Sequence, residues 1–574
     1  MKLMSLAIHN FRGIEEGCFC FPPKQRIIGI IGPGDSCKTT LLKAIEWSLW
    51  PTWNLSATDM DFYNGNTSNP IVIESTIAEI PSELLSEDKF GLYLRDFEAV
   101  IHGAENDEPV EGKTPVITIR LTIDDTLEPI WLVITNRTDP RPISQKDRRL
   151  FSFGVVGFNY DKDFLWGRGS ILQKYSGATR GTLHTAYTQA MRLAIENTDL
   201  TSLDFVTKEV SDIGSQYGVS FLGKLHNKLI MQNGSYSTAV GVFDNDIPFS
   251  QRGLGSKRLL SIGLNIRASS EGSLILVDEI ETGLEPYRIC ALINQLRAEF
   301  ADKGQLIFTT HSRSVVCECN VDELFVIVEN NGKVHWFPLS EQEIKDDVQA
   351  IVRYEPDSFL CKRIIVCEGK TEIGMLRALD KKIYEVKGCR FSHYGVGTAC
   401  GGGGGKTFKL AKLLKNCGYD VSILMDADID SEAEEKKRVE ALGIKVFTWE
   451  SGNAVEEQIF QDVDNVTAEE LISLACEAKS FDHVIAKLNS GFDQDNKPYY
   501  KDGEKIRLYE KVSIEERKNI GTIAKNKNCE WFKRIDLGEK VGEILFSKYD
   551  KIDGTAGLKV TIEQLKRWVM GDEA

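Results

Sequence analysis

GIIGPGDSCKTTLLKAIEW, residues 29–47, decides the fold of the first part of the chain. Residues 32–39 fit the phosphate-binding pattern G-x-x-x-x-G-K-[ST], except that Cys37 occupies the position of the second glycine. The run RIIGII precedes this loop and TLLKAIEWSL follows it, so the pattern lies between a predicted strand and a predicted helix. In that setting, backbone N–H groups and the helix N-terminus bind phosphate oxygens. The segment therefore predicts a nucleotide site that Cys37 narrows without abolishing.

Within this loop, each residue type suits phosphate or metal binding. The ammonium group of Lys38 would neutralise charge on the β- and γ-phosphates, and the hydroxyl of Thr39 would ligate Mg²⁺. An ordinary strand–turn–helix is the alternative interpretation of the motif taken alone. The residues that we expect to line the nucleotide are Gly32, Gly34, Asp35, Ser36, Cys37, Lys38, Thr39 and Thr40.

Composition and charge restrict the class of protein. The chain has 574 residues, of which 42% are hydrophobic and 27% charged, as in ordinary globular proteins of several domains. The 13 cysteines show no C-x-x-C spacing, so neither a disulfide framework nor a zinc site is expected. The net charge of −16 argues against nonspecific coating of nucleic acid. Without an export signal or a long apolar run, the sequence predicts a cytoplasmic protein with no membrane partner.

Three further motifs follow the phosphate-binding loop in a fixed order. In SQRGLGSKRLLSIGL (250–264), a glycine-containing turn opens a helix, with Ser250, Gly253 and Gly255 as candidate nucleotide contacts. The strand LILVDE (274–279) then ends in Asp278, expected to bind Mg²⁺ through water, and Glu279, expected to polarise the attacking water. The strand LIFTTH (306–311) ends in His311, a candidate sensor of the γ-phosphate. Each motif alone is common, but their order favours a nucleotide-hydrolysing site.

This order resembles ABC-type ATPases, in which the 250–264 segment would act as the signature and Glu281–Pro286 as the loop facing the opposite subunit. The opening LAIHNFRGIEEGCFCF is similar to the RecF/SMC-like branch of that class. The resemblance implies ATP with one Mg²⁺ ion, and dimerisation of the ATPase domains around nucleotide. We assign residues 1–355 to this domain, with 181–232 as a helical insertion involved in dimerisation.

A second series of alternating strands and helices begins at about residue 361 and predicts a parallel sheet. RIIVCEGKTEIGML (363–376) carries Glu368 at a strand end and Glu372 on the following helix. VSILMDADID (421–430) ends a later strand in Asp426 and Asp428. Carboxylates from adjacent strand ends are the hard oxygen ligands that Mg²⁺ or Mn²⁺ prefers, and two such ions could cleave a phosphodiester bond.

The pairing of E-G-x-x-E with D-x-D resembles the Toprim domain, a Rossmann-like fold. In WESGNAVEEQIF (449–460), Glu456 or Glu457 could complete the metal shell, and the resemblance favours Glu456. Farther on, 525–545 resembles a segment that carries a catalytic lysine, for which Lys527 and Lys533 are both candidates. The stretch CGGGGGKT (400–407) almost repeats the phosphate-binding pattern, and we interpret it as a glycine-rich β–α turn rather than a second ATP site.

An ABC-type ATPase followed by a Toprim domain with a helical C-terminal extension (360–574) resembles the OLD (overcoming lysogenisation defect) family of ATP-dependent endonucleases. The resemblance implies DNA cleavage with two Mg²⁺ or Mn²⁺ ions, homodimers or larger assemblies, and a role in anti-phage defence. The G-D-S-x-K-T loop and SATDMDFYNG (56–65) are similar to its retron-associated branch, whose partners are a reverse transcriptase and RNA-linked single-stranded DNA.

Other classes of protein share parts of this pattern. A RecF/SMC-like DNA-binding or repair ATPase without nuclease activity is the main alternative, and the complete set of acidic motifs argues against it. A topoisomerase would need a catalytic tyrosine in a separate domain, and a primase would usually bring a cysteine-rich zinc module. We find neither feature in the sequence.

Overall fold

The computed structural model describes residues 1–151, 153–157, 161–166, 171–172, 200–231, 238–269, 272–341, 345–427, 433–450, 452–493 and 496–571. It divides into two compact units, Met1–Tyr354 and Glu355–Ala574. The predicted α/β architecture is confirmed in both units.

The first unit combines long antiparallel strands with short buried parallel ones. Its strands are β1 (Lys2–Phe11), β2 (Ile14–Cys20), β3 (Ile27–Ile31), β4 (Ile71–Ala78), β5 (Arg95–Asp96), β6 (Pro115–Ile123), β7 (Pro129–Ile134), β8 (Arg141–Pro142), β9 (Phe153–Val156), β10 (Leu165–Trp166), β11 (Leu225–Met231), β12 (Thr238–Asp244), β13 (Ile247–Pro248), β14 (Leu274–Val277), β15 (Gln305–Thr309), β16 (Leu324–Asn330) and β17 (Lys333–Pro338).

The helices of this unit follow the motifs found in the sequence. They are α1 (Lys38–Ser48), α2 (Phe97–Ile101), α3 (Gln145–Arg148), α4 (Asp204–Gln216), α5 (Leu254–Ala268), α6 (Pro286–Glu299), α7 (Arg313–Glu318) and α8 (Lys345–Tyr354).

One large mixed sheet organises the first unit. Among the described residues its strand order is β8-β7-β6-β4-β1-β2-β17-β16-β3-β15-β14-β9, with β5 paired to β6. Strand β3 lies between β15 and β16 and is parallel to both, and β14 is parallel to β15 and β9. Because the carboxyl ends of parallel strands share one edge of a sheet, the loops after β3, β14 and β15 emerge together.

Helix α1 buries one apolar face, which fixes the loop that precedes it. Leu41, Ala44 and Ile45 are fully buried in a core that includes Ile28 and Ile30 of β3. Burying a leucine or isoleucine side chain stabilises the fold by roughly 1.5–3 kcal/mol. The phosphate-binding loop is therefore held at both ends by buried elements.

The described part of the helical insertion predicted for 181–232 contains both a helix and a strand. Residues 181–199 and 232 lie outside the described residues. Of the rest, 204–216 form α4, but 225–231 form strand β11, which pairs with β12 in an antiparallel register. The prediction was wrong for β11 because LHNKLIM shows no apolar–polar alternation that would mark a strand, and cross-strand pairing with β12 overrides the surrounding helical spacing.

The second unit begins with four strands of a parallel sheet and ends mainly in helices. Its strands are β18 (Arg363–Cys367), β19 (Val396–Cys400), β20 (Asp420–Met425), β21 (Lys445–Thr448), β22 (Tyr499–Asp502) and β23 (Lys505–Leu508). Its helices are α9 (Lys370–Lys387), α10 (Gly405–Asn416), α11 (Ala433–Ala441), α12 (Val455–Asp462), α13 (Asn465–Lys479), α14 (Phe481–Gly491), α15 (Ile514–Lys525), α16 (Ile535–Ser547) and α17 (Gly557–Met570).

The parallel sheet has the order β19-β18-β20-β21, so β18 and β20 are neighbours. Both are fully buried along their apolar residues, as expected for strands covered on two faces. Their carboxyl ends deliver Glu368 and Asp426 to the same edge of the sheet. The predicted Rossmann-like arrangement with a helical C-terminal extension is confirmed, apart from the unpredicted hairpin β22–β23.

Candidate nucleotide and metal sites

Lys38 is folded back into its own loop, where a phosphate would bind. Its Nζ donates hydrogen bonds to the carbonyl oxygen of Gly32 (3.1 Å), to that of Pro33 and to Oγ of Ser36 (3.0 Å). Burial lowers the pKa of Lys38 to about 8, although the nearby Asp35 and Asp278 oppose that shift. Hydrogen bonds to its own loop therefore hold the ammonium group of Lys38 at the position where a phosphate would bind.

Cys37 occupies the backbone conformation that usually calls for glycine. It precedes α1 with φ 66° and ψ 21°, in the left-handed region. Asp35 also has a positive φ, of 62°, so two non-glycine residues shape this loop. The sulfur of Cys37 fills the space above Gly13, because a Cβ built on Gly13 would lie 2.8 Å from it. Glycine is therefore not required at position 37 for the loop to close.

The other predicted loop residues occupy distinct environments. Gly34 and Asp35 are exposed at the tip of the loop, whereas Ser36 is buried and donates to the carbonyl oxygen of Pro33 (2.9 Å). Thr39 is exposed at the start of α1, and Thr40 is half-buried.

Asp278 lies beside the phosphate-binding loop, as the parallel sheet dictates. Its Oδ1 accepts hydrogen bonds from Oγ1 of Thr39 (3.1 Å) and Oγ1 of Thr309 (2.6 Å). Thr309 in turn accepts from the backbone N–H of Glu279 (2.8 Å). Strand ends β14 and β15 are thereby joined to α1. The hydroxyl of Thr39 and the carboxylate of Asp278, the two predicted Mg²⁺ contacts, are within hydrogen-bond distance of each other.

Glu279 is held in an unusual backbone conformation by a buried arginine. Its φ is 47°, in the left-handed region. The guanidinium of Arg258, fully buried in α5, donates to the carbonyl oxygens of Glu279 (3.0 Å), Asp278 and Gly157 (2.9 Å). The helix that begins with the signature-like turn is therefore fastened to the backbone of both acidic residues.

His311 is coupled to the acidic loop through Glu281. The carboxylate of Glu281 accepts from the backbone N–H of His311 (2.7 Å) and from Oγ1 of Thr310 (2.7 Å). Partial burial and the charge of Lys38 lower the pKa of His311, against the opposing carboxylates of Glu281 and Glu279. The lowered pKa favours a neutral imidazole at pH 7.

The signature-like turn packs tightly against the loop that follows Glu279. A Cβ on Gly255 would lie 2.3 Å from the carbonyl oxygen of Gly283, so the two backbone segments are in direct contact there. Gly253 is the N-cap residue directly before α5 and has open space around it. Ser250 lies in the preceding turn, where its carbonyl oxygen accepts a hydrogen bond from Nζ of Lys257 (3.0 Å).

The amino-terminal segment contacts the helix of the phosphate-binding loop. Arg12 pairs with Asp61 (2.9 Å), which belongs to the SATDMDFYNG segment. Its guanidinium also lies over the rings of Phe11 (5.3 Å) and Trp47 (5.6 Å). The two segments on which the sequence resemblance partly rested are therefore in direct contact.

In the second unit, the strand-end acids are linked through the backbone. Oε2 of Glu368 accepts from the backbone N–H of Asp426 (2.9 Å). Oδ1 of Asp426 accepts from Nε1 of Trp449 (3.1 Å) and from the N–H of Val455 (2.8 Å), the first residue of α12. These bonds fix the orientation of both carboxylates at the carboxyl edge of the sheet.

Two further carboxylates are buried close to this pair. Burial, together with the neighbouring Glu456 and Glu368, raises the pKa of Glu372 to about 8. Burial also raises the pKa of Glu456, against the opposing charges of Lys533 and Lys525. Among the described residues, Oε1 of Glu456 has no hydrogen-bond partner. Buried acids in this state are expected to gain stability from a cation.

The carboxylate of Glu457 accepts hydrogen bonds from neighbouring parts of the fold, whereas within the described residues Oε1 of Glu456 does not. It accepts from the N–H of Ala454 (2.9 Å), from Oγ1 of Thr522 (2.7 Å) and from Nζ of Lys525 (2.8 Å). Lys533 is exposed but interacts electrostatically with Glu456, whereas Lys527 is exposed at the end of α15. Lys533 is thus the predicted lysine that the fold brings near the acids.

The donor set suits a divalent ion, but the ligand geometry is incomplete in the described chain. Asp428 lies outside the described residues. Among those that are described, no three His, Cys, Asp or Glu side chains are grouped closely enough to hold a metal ion. The hard carboxylate oxygens and the unpartnered Oε1 of Glu456 nevertheless fit Mg²⁺ or Mn²⁺.

Several contact residues were not predicted from the sequence. Thr309, Arg258 and Glu281 connect the motifs of the first unit, and Trp449 and Lys525 do so in the second. All five lie within motifs noted in the sequence, but the sequence gives no sign of the partner that each of them contacts.

Two known protein families match parts of the chain, one part in each unit. The family AAA_21, described as "AAA domain, putative AbiEii toxin, Type IV TA system", matches residues 189–318. The family OLD-like_TOPRIM, described as "Overcoming lysogenization defect protein-like, TOPRIM domain", matches residues 359–428. The chain combines an ATPase domain with an OLD-like TOPRIM domain. Its TOPRIM match contains Glu368, Glu372 and Asp426, and its AAA match contains Asp278, Glu279 and His311.

Solved structures with a similar arrangement include SMC head domains. One is the SMC head domain from Thermotoga maritima, with 16% identity, 59% of this chain and 99% of that chain covered, and a TM-score of 0.32. Another is an Smc head domain with an extended coiled coil, bound to the C-terminal domain of ScpA derived from Pyrococcus furiosus, with 12% identity, 59% and 97% covered, and a TM-score of 0.35. No curated protein matches the sequence. Among the described residues, no helix has the length and apolarity to cross a membrane.

Proposed function

We propose that this ATPase–Toprim protein is a divalent-metal-dependent DNA endonuclease whose activity is coupled to ATP. The observation that carries the proposal is the convergence of Glu368 and Asp426, which lie on adjacent strand ends and are joined by a 2.9 Å hydrogen bond. Glu372 and Glu456 lie buried beside them. Carboxylates in this position suit phosphodiester hydrolysis assisted by metal ions.

In the proposed reaction, Glu368, Glu372, Asp426, Asp428 and Glu456 hold the divalent ions. When bound, two such ions would activate water and stabilise the leaving oxygen. Trp449 orients Asp426, and Lys533 offsets negative charge on the substrate phosphate. Glu457 and Lys525 position α12 against α15, so that Glu456 stays at the site.

In the ATPase unit, we infer that Lys38 binds the β- and γ-phosphates and that Thr39 and Asp278 hold one Mg²⁺ ion. Glu279 polarises the attacking water, and His311 contacts the γ-phosphate. Gly253 and Gly255, with Ser250, would present the N-terminus of α5 to nucleotide on a second copy of the chain. Nucleotide-dependent dimerisation is part of this proposal, as is a role in anti-phage defence with a retron reverse transcriptase and its RNA-linked DNA as partners.

The deciding experiment is cleavage of plasmid and linear DNA by the purified protein with Mg²⁺ or Mn²⁺, with and without ATP. The Glu368→Ala variant should lose cleavage and keep wild-type ATP binding, because Glu368 lies in the other unit from Lys38. An Asp426→Ala/Asp428→Ala variant should behave in the same way. Cleavage retained in these variants would reject the TOPRIM site as the nuclease. A wild-type protein that hydrolyses ATP and binds DNA without cutting it would favour a DNA-binding ATPase of the RecF/SMC kind.

A further inference from the structure

Two cysteines on strand β2 are exposed on the same side of the large sheet. Cys18 and Cys20 alternate with the buried Phe19, so their side chains project from one face of the strand. Free cysteines are among the most frequently buried residues, which makes an exposed pair unusual. Neither side chain belongs to the nucleotide site or to the apolar core of the first unit.

An open groove runs beside the two cysteines. Strand β2 pairs with β1 from Ile14 to Cys20, but its pairing with β17 ends at Gly17 and Val334. Beyond that point the two strands separate and leave a groove of about 430 Å³, whose walls include Cys18, Cys20 and His335. Small molecules in the solvent can therefore reach both thiols.

The two thiols interact with each other. A hydrogen bond from Cys20 lowers the pKa of Cys18 to about 7, against burial and the charges of Glu74 and Glu16. The same bond, together with burial, raises the pKa of Cys20. Near neutral pH, Cys18 is therefore substantially a thiolate, whereas Cys20 stays protonated. A thiol whose pKa lies near the ambient pH attacks fastest, and a neighbouring thiol can resolve its oxidation product.

Residues 317 and 319 repeat the C-x-C spacing in the same unit without this arrangement. Cys317 lies in helix α7 and Cys319 directly follows that helix, so the two do not share the face of a strand. Cys319 is fully buried, and burial raises its pKa. Buried thiols of this kind are chemically inert. The spacing alone therefore does not produce a reactive pair, and the extended strand beside an open groove distinguishes Cys18 and Cys20.

We propose that Cys18 and Cys20 form a redox-active dithiol that hydrogen peroxide oxidises to an intramolecular disulfide. The thiolate of Cys18 attacks one peroxide oxygen, the O–O bond breaks, and the leaving hydroxide takes a proton from solvent to give water. Cys18 is then a sulfenic acid. The thiol of Cys20 attacks its sulfur, the S–O bond breaks, and a second water leaves with the thiol proton. The peroxide gains the two electrons that the thiols lose.

The strand geometry makes this disulfide easy to reduce. The Cα atoms of residues two apart in a strand are about 6.8 Å from each other. That spacing is at the upper end of the range of roughly 4.4–6.8 Å in which disulfides form. Closing the bond therefore bends β2 locally, and strained, exposed disulfides are the labile ones. The pair is accordingly a reversible site rather than a structural cross-link.

Peptide mapping of the full-length protein tests the assignment. Trypsin releases residues 13–24, a peptide that contains Cys18 and Cys20 and no other cysteine. After an equimolar amount of hydrogen peroxide and alkylation of free thiols with iodoacetamide, this peptide should be recovered mainly as the unalkylated disulfide. Dithiothreitol should restore alkylation. The peptide of residues 314–333 holds the other C-x-C pair and is the matched control, which should oxidise on the order of tenfold more slowly.

Single substitutions separate the roles of the two thiols. In Cys20→Ser, the sulfenic acid of Cys18 has no resolving thiol and should be captured by dimedone. In Cys18→Ser, Cys20 should remain open to alkylation after the same peroxide treatment. Both positions are exposed, so both variants should keep the melting temperature of the wild type.

Equal oxidation of the peptides 13–24 and 314–333 would overturn the proposal, because the strand and groove would then confer no reactivity. Full alkylation of residues 13–24 after peroxide would overturn it too. A sulfinic acid at Cys18 of the wild type without a disulfide would mean that Cys20 does not resolve the intermediate, and would reject the dithiol. A disulfide between two copies of the chain, in place of the internal one, would do the same. These measurements involve neither ATP nor DNA, so they are independent of the proposed nuclease function.

Discussion

At the scale of the residue, Cys37 shows how far the phosphate-binding loop tolerates a departure from its usual sequence. Cysteine has an unbranched Cβ, and in the left-handed region it costs on the order of 1 kcal/mol relative to glycine. Its sulfur recovers contact above Gly13. A nucleotide site with cysteine here is therefore physically reasonable, although the usual pattern excludes it.

Cys37→Val should disable the loop, whereas Cys37→Gly should preserve it. Valine is branched at Cβ and is a severe outlier at φ 66°. We expect Cys37→Val to weaken ATP binding about tenfold or more, through a strain of roughly 1–3 kcal/mol. Isothermal titration with ATP and Mg²⁺ would measure both variants. Equal ATP affinity in Cys37→Val and the wild type would show that the loop is not the nucleotide site.

Lys38 predicts a pH dependence of ATP binding. Its pKa is lowered to about 8 by burial, so the ATP-free protein loses this proton as the pH rises through 8. Bound phosphates favour the charged ammonium, so binding above pH 8 must take up a proton. The ATP affinity should therefore fall about fivefold between pH 8 and pH 9. In Lys38→Ala the affinity should be weak and nearly independent of pH over this range, and a flat wild-type profile would contradict the assigned role.

Individual residues also show what one sequence can and cannot reveal. Glu368, Asp426 and Asp278 were predictable because each follows an apolar strand, and parallel strands bring their ends together. Glu281 accepts hydrogen bonds from Thr310 and His311, which lie 29 and 30 positions later in the chain. Lys525 donates one to Glu457, which lies 68 positions earlier. Such pairings leave no periodic trace in a single sequence. Arg258, a charge in the middle of a helix, would ordinarily be assigned to solvent, yet it is buried.

At the scale of the element, helix α9 carries Glu372 and depends on close packing against α16. A Cβ on Gly538 would lie 2.5 Å from the carbonyl oxygen of Thr371, and one on Gly374 would lie 2.3 Å from that of Ile535. These carbonyls belong to the backbone and cannot rotate away. The spacing of the two helices is therefore set by glycine, and the position of Glu372 follows from it.

Gly538→Ala should accordingly destabilise the second unit by about 1–3 kcal/mol, because the added methyl group forces the helices apart. In thermal unfolding, the melting temperature should fall by several degrees. Gly554→Ala is a matched control, since its Cβ would meet no atom within 4 Å. A melting temperature of Gly538→Ala equal to that of the control would contradict the packing described for α9 and α16.

At the scale of the whole molecule, the net charge of −16 conflicts with broad electrostatic contact to DNA. Each phosphate neutralised by a lysine or arginine releases counterions, so the logarithm of the affinity falls with the logarithm of salt concentration with a slope of about −0.9 per contact. Because 85 acidic residues outnumber the 69 lysines and arginines, cations contact DNA only where they are locally available, as Lys370 and Lys533 are beside the acidic cluster. We therefore expect DNA binding through few phosphates, supported by divalent ions at the acidic cluster.

This expectation is measurable as the salt dependence of duplex binding between 50 and 200 mM NaCl in Ca²⁺ buffer. The slope should be shallow, about −2 to −4, corresponding to roughly two to four phosphate contacts. Removing the divalent ion with EDTA should weaken binding more than raising the salt does, because the carboxylates of Glu368, Glu372 and Glu456 would then repel the strand. Lys533→Ala should reduce the steepness of the salt dependence by about one contact. A slope near −8 that is insensitive to EDTA would mean that DNA lies along a basic surface elsewhere and that the acidic cluster does not hold it.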